Sequence, residues 1–326
     1  PRALSPRIKT TASILWKIYL SFTIALTVLL MVAGLDFFDA LCQTFSTVAT
    51  GGFSNKNASI AAFDSVSVEL ILIVFMVLAS TNFGLFFAMS MGDWKVLFRN
   101  TEWRVFILML VGGTALITVN LMGAQGVVPE FAPPEAPEYT AGKALRDSAF
   151  AVVSLTTTTG FVTTDFDAWP HFSRAMLLML MIIGGCAGST AGGMKVARLV
   201  ILIKMAYWRV ESTFRPKTVR PIRINNIVID EEIQRTVYAY FVIHILIMGF
   251  GIVLMSVLGL PFESAVTAVI ACLHNIGPGF QYVGALESFA LVPDSGKLFL
   301  TLCMAIGRLE LFTILVLFIP SFWRRA

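Results

Sequence analysis

Long stretches without a charged residue dominate the chain and are separated by short charged segments. Residues 70–92, 105–129, 175–194 and 236–262 contain no Asp, Glu, Lys or Arg. Each is long enough to cross a hydrocarbon core of roughly 30 Å as a helix. A shorter run at 18–35 begins beside Lys17, and a final run at 298–323 carries Arg308 and Glu310 near its middle. The pattern therefore predicts six spans, in three pairs. Between the members of each pair lies a mainly apolar segment too short to span, at residues 37–47, 144–155 and 262–274. At about 1.5 Å per residue such helices reach only half way across.

A short helix followed by irregular backbone is excluded from lipid, because unpaired N–H and C=O groups there cost several kcal/mol each. It is allowed where it lines a cavity or is buried in protein. One such segment could lie flat on the membrane surface, but three in the same register point to a pore or binding cavity. Each ends in related residues: Thr50-Gly51-Gly52-Phe53, Thr159-Gly160-Phe161 and Asn275-Ile276-Gly277-Pro278-Gly279. Gly51, Gly160 and Gly277 are 109 and 117 residues apart, so one unit of helix, half-helix, loop and helix is written three times.

Composition agrees with the pattern: 57% hydrophobic and only 13% charged residues, with a mean hydropathy of +0.80, exclude an ordinary soluble domain. The expected fold is an all-α polytopic membrane protein. Of the 24 Lys and Arg residues, 18 fall in the N-terminal stretch, residues 95–104, the loop 195–235 and the C-terminal Arg324-Arg325. The positive-inside rule puts these in the cytoplasm and opens the three loops to the outside. The net charge of +4 needs no nucleic acid, and the basic loop 209–223 lacks the aromatic interleaving of a nucleic-acid surface. Cys42, Cys186, Cys272 and Cys303 are scattered as small hydrophobes. No catalytic constellation is visible, so the reading is not an enzyme.

Ion coordination by main-chain carbonyls is the chemistry such loops supply. Several oxygens replace the water shell of a cation without burying a fixed charge. Glycine permits the positive φ that turned carbonyls require, and each half-helix directs its negative end at the loop. Gly184, Gly185, Gly188, Gly192 and Gly193 crowd into ten residues of the run 175–194. At about 1 kcal/mol per helical glycine, a continuous helix there is heavily penalised. A close helix crossing is the other reading of such small residues. Arg308 at mid-membrane costs about 2.5–3.5 kcal/mol and calls for an interior position, either paired with Glu310, capping loop carbonyls, or as a positive charge beside the pore.

These loops, together with residues 184–195 and Gly307-Arg308-Leu309-Glu310, resemble the second, third and fourth filter regions of the Trk/Ktr/HKT superfamily of potassium and sodium transporters. The resemblance covers essentially the whole chain. It implies potassium-channel-like repeats around a pseudo-fourfold axis, with residues 1–98, 99–205 and 235–326 as the second to fourth repeats and 206–234 as a cytoplasmic linker. A first repeat is then expected upstream. It also implies K⁺, the transported ion, bound by Ala49, Thr50, Gly51, Thr158, Thr159, Gly160, Asn275, Ile276 and Gly277, with no covalent cofactor. The gate would be an intramembrane loop, Gly184, Gly185, Gly188, Ser189, Thr190, Gly192 and Gly193, working with Arg308. Implied partners are a second copy in a homodimer, a cytosolic nucleotide-binding regulatory subunit of the TrkA type, and membrane lipid, in a bacterial inner membrane. Two alternatives stay open: an ion-coupled secondary transporter with a discontinuous-helix site, such as a symporter, and a sodium-selective member of the same superfamily. Glu69, Asp165 and Asp167 are placed at the outer ends of the repeats, His244 as a hydrogen-bonded packing residue, and residues 128–138 as an external linker.

Overall fold

The computed structural model describes residues 4–123, 139–215, 221–225 and 227–324. The expected linker at 128–138 and the part of the run 105–129 beyond Gly123 lie outside the described residues. The helices in order are α1 (Leu4–Val32), α2 (Phe37–Val48), α3 (Val66–Ala79), α4 (Phe83–Ser90), α5 (Val96–Arg99), α6 (Thr101–Gly123), α7 (Ala141–Thr156), α8 (His171–Ile182), α9 (Val196–Phe214), α10 (Glu231–Val257), α11 (Phe262–Leu273), α12 (Asp294–Arg308), α13 (Leu311–Leu315) and α14 (Pro320–Trp323). A two-residue hairpin, β1 (Arg223–Ile224) with β2 (Ile227–Val228), lies between α9 and α10.

Each unit opens with a long apolar helix: α1, α6 or α10. Large apolar side chains stay exposed along them, among them Ile24, Leu108, Val119, Leu246 and Val253, as lipid contact requires. The half-helices α2, α7 and α11 follow, within one to three residues of the expected bounds. Asp36 caps α2 by accepting from the Phe38 N–H, and Thr140 caps α7 at Lys143. The half-helices are densely buried; along α11 every residue from Ser264 to Leu273 except Val266 is buried.

The second helix of every unit is broken, where the sequence reading expects only the third repeat to break. The run 70–92 bends by 89° between α3 and α4. Asn82 caps the new helix at Gly84 (2.7 Å), and the Ala79 and Ser80 carbonyls freed by the bend accept from Thr190 and Cys186. Residues 183–195 separate α8 from α9 as the glycine content predicts. The last run breaks after Arg308, at Glu310, which has φ +70°. Hydropathy is blind to these bends because the residues remain apolar on both sides.

Partly buried ion pairs tie neighbouring units together. Glu69, 4% exposed, holds Arg146 through two bonds of 2.6 Å, joining α3 to α7. At the outer end of its unit, Glu69 is thus committed to this pair inside the protein. Arg174 at the start of α8 pairs with Glu263 of α11 and lies 3.8 Å from Asp167.

Candidate functional site: three pore loops above an intramembrane loop

The half-helices end in the same backbone motif. The N–H of Thr50 bonds the Thr47 carbonyl and that of Gly51 the Ser46 carbonyl. Thr158 and Thr159 repeat this on Leu155 and Ser154, and Asn275 and Ile276 on Cys272 and Ala271. This pairing is the Schellman termination, in which one residue takes the left-handed conformation. Here it is Thr50 (φ 51°), Thr158 (φ 56°) and Asn275 (φ 57°) rather than glycine. A β-branched residue held there costs about 1–2 kcal/mol, so the surrounding structure imposes the conformation.

The glycine comes two residues later, with positive φ at Gly52 (68°), Gly160 (79°) and Gly277 (110°). The backbone therefore pairs Gly52, not Gly51, with Gly160 and Gly277, and Gly52 was missing from the sequence-based set. The Gly51-Gly52 doublet hid the register, although Phe53 and Phe161 each follow the paired glycine. A Cβ on Gly52 would overlap the Thr159 carbonyl oxygen, and one on Gly160 the Ile276 carbonyl oxygen. Each glycine thus lets its loop close against the next. Gly277 faces nothing within 4 Å. Beside it opens a groove of about 950 Å³ between α2 on one side and α11 and α12 on the other, lined in part by Phe45, Phe53, Gly277, Met304 and Arg308.

Residues 183–195 form a lateral loop whose arms meet at the base. Gly184 N–H donates to the Met194 carbonyl (2.9 Å) and Val196 N–H to that of Gly185 (3.2 Å). Its tip reaches all three units. The Thr190 carbonyl accepts from the Thr50 hydroxyl and from Arg308, each at 2.9 Å. The Thr190 hydroxyl bonds the Val48 and Ala79 carbonyls, both at 3.0 Å. Gly192 N–H donates to Thr158 Oγ1 at 2.6 Å, and a Cβ on Gly192 would meet the His274 carbonyl oxygen at 2.5 Å. Of the sequence-selected gate residues, Thr190 and Gly192 contact the pore loops, Gly188 accepts from Phe83 N–H, and Ser189 bonds back to Cys186.

Arg308 does not pair with Glu310. Its Nη1 bonds Thr190 and its Nη2 the Ala49 carbonyl at 3.1 Å, so it caps loop carbonyls and joins the pore loop to the loop below. Glu310 instead pairs with Arg198 at 2.7 Å, and that guanidinium lies 4.0 Å over the Tyr240 ring. Tyr240 stacks on His244, whose Nε2 is 3.0 Å from that of His274. His244 is thus a buried packing residue with a hydrogen-bond partner, beside the base of the Gly277 loop.

At the outer ends, Asp167 accepts from the Gln281 N–H at 3.0 Å and lies near Arg174 and Glu263. Burial pushes its carboxyl up to about 7. No group of three or more His, Cys, Asp or Glu among the described residues could hold a metal ion. Sequence reasoning also passed over Glu102, whose carboxylate reaches the intramembrane loop from α6.

Three re-entrant half-helix and loop units above a common intramembrane loop define a polytopic membrane protein of the pore-loop class. The sequence matches the TrkH family, described as a cation transport protein, over residues 3–325, and the chain belongs to that family. It is 35% identical over 327 residues to the Trk system potassium uptake protein TrkH of Halomonas elongata, covering 99% of this chain and 64% of that one. It is 36% identical over 322 residues to the protein of the same name from Escherichia coli K12, covering 98% and 64%. The crystal structure of the potassium transporter TrkH from Vibrio parahaemolyticus superposes with a TM-score of 0.88 at 36% identity, over 98% of this chain and 66% of that one. The chain thus spans about two-thirds of the length of the relatives it matches.

Proposed function

We propose that this chain forms three of the four walls of a K⁺ uptake pathway, with the pore loops as the filter and residues 183–195 as the barrier on its cytoplasmic side. The observation that carries the reading is the Thr190 carbonyl, held at once by Thr50 and Arg308 beneath the loops. Half-helix dipoles and main-chain carbonyls favour a dehydrated cation above that point, while the Arg308 charge opposes it below. Where Gly277 faces open space, a fourth loop completes the ring and its unit fills the groove. The transported ion is K⁺, as it is for the potassium uptake proteins that the chain resembles. A second copy, a cytosolic nucleotide-binding subunit and a bacterial inner membrane belong to the same proposal, because the named relatives are components of a Trk system.

A second reading has its own support. All three second helices are broken, as in carriers that bind substrate at unwound segments. Flux through the full-length protein in proteoliposomes separates the two. K⁺ flux exceeding Na⁺ flux, abolished by Gly160→Asp, is the expected result. Transport seen only with an organic solute or in exchange for another ion would select the carrier.

A further inference from the structure

We propose that Glu102 is a positioning residue for the intramembrane loop: one buried carboxylate oxygen fastens both arms of the break and holds the loop's tip beneath the pore loops. The inference rests on reading that loop as the barrier. Glu102 lies in the first turn of α6 and is 6% exposed. Its Oε1 accepts from the Ala187 N–H at 2.6 Å and from the Ala197 N–H at 3.1 Å. Ala187 belongs to the arm that leaves α8. Ala197 is in the first turn of α9, on the other side of the break, where backbone N–H groups have no partner within the helix.

A carboxylate at a helix N-terminus is by itself an ordinary capping device, favoured by the positive end of the helix. The second bond changes its meaning. By taking Ala187 with the same oxygen, Glu102 sets the distance between the start of the loop and the helix that follows it. Every other acceptor in the described hydrogen bonds made by the loop's N–H groups is a carbonyl or a hydroxyl. Glu102 supplies the charged one, and charge-assisted bonds are about twice as strong as neutral ones.

The two ends of the loop are thus held by opposite charges. Arg308 grips the tip at Thr190 and Glu102 grips the heel at Ala187. Between them Cys186 is fully buried, its N–H on the Ser80 carbonyl. If the heel is released, the arms separate, Cys186 becomes accessible and the tip loses its fixed position. The pore loops keep the backbone hydrogen bonds to their own half-helices, so ion preference is untouched.

Cys186 provides the test. In the full-length protein with Cys42, Cys272 and Cys303 changed to Ser, modification of Cys186 by a maleimide and cation flux are measured for the parent, Glu102→Gln and Arg308→Ala. Glu102→Gln is expected to raise the Cys186 modification rate about tenfold, as replacement of a charged by a neutral acceptor implies, and to raise flux at an unchanged K⁺/Na⁺ ratio. A folded Glu102→Gln protein with unchanged modification overturns the proposal, even if Arg308→Ala raises flux and so supports the barrier reading. Faster modification in both variants with flux unchanged supports the positioning role and removes the barrier reading. Amide exchange in the parent protein needs no variant: Ala187 and Ala197 should exchange more slowly than Gly188 and Ala191. Equal rates also overturn the proposal.

Discussion

Arg308 donates to the carbonyl of Thr190 at 2.9 Å, across 118 residues of sequence, and its other terminal nitrogen reaches the Ala49 carbonyl. One guanidinium therefore joins the base of a pore loop to the tip of the segment beneath it. Its charge faces the groove beside Gly277 rather than a carboxylate. A cation at mid-membrane that is satisfied by carbonyls keeps its full positive field, and that field is what opposes the passage of other cations.

Arg308→Ala removes both bonds and the charge. Charge-assisted bonds contribute about 1.5–3 kcal/mol each, so cation flux through the full-length protein should rise by about tenfold or more, with the preference for K⁺ over Na⁺ retained. Flux assays in proteoliposomes check both.

Gly52 and Gly51 should behave differently although they are neighbours. Gly52→Ala places a Cβ into the Thr159 carbonyl oxygen at a positive φ, whereas a Cβ on Gly51 meets the movable Phe53 ring at 3.2 Å. Gly52→Ala should abolish selective flux and Gly51→Ala should retain most of it. The opposite order would restore the register that the sequence spacing gives.

Arg146→Ala strands the Glu69 carboxylate inside the protein. Breaking a buried pair from one side costs about 3–5 kcal/mol, and partial exposure of Arg146 puts this one at the lower end. Thermal unfolding in detergent should show a clear loss of stability. Glu69→Gln combined with Arg146→Leu should recover much of it.

Asp167 makes stability depend on pH. Burial disfavours the charged form and pushes its carboxyl from the ordinary value of 3.8 up to about 7 in the folded protein. The folded state then binds more protons than the unfolded state between these values. This contribution is fully present below about pH 4 and is lost as pH rises toward 7. Asp167→Asn should flatten that part of the stability profile, measured by unfolding temperature against pH.

Much of this architecture is legible in the sequence. The half-helices are bounded by Asp36, Thr140 and Pro261 before them and by the Thr-Gly and Asn-Ile-Gly loops after them, and both kinds of signal are local. The bend between α3 and α4 is local too, in Ser80, Thr81 and Asn82, but an apolar run read by hydropathy conceals it. The break at Glu310 has no such signal: a non-glycine residue at positive φ is imposed by tertiary contacts. Glu102 is the clearest omission. In sequence it is an acidic residue in a helix's first turn, and its role appears only when Ala187 and Ala197, 85 and 95 residues away, come within hydrogen-bond distance.

The most direct test of the central claim is to locate Rb⁺, a K⁺ substitute, in the structure of the full-length protein by anomalous scattering. The account predicts Rb⁺ on the axis ringed by the Gly52, Gly160 and Gly277 loops, above Thr190, and its loss in Gly160→Asp. Rb⁺ bound instead at the breaks near residues 183–195 or 309–310, with the three loops empty, would contradict it.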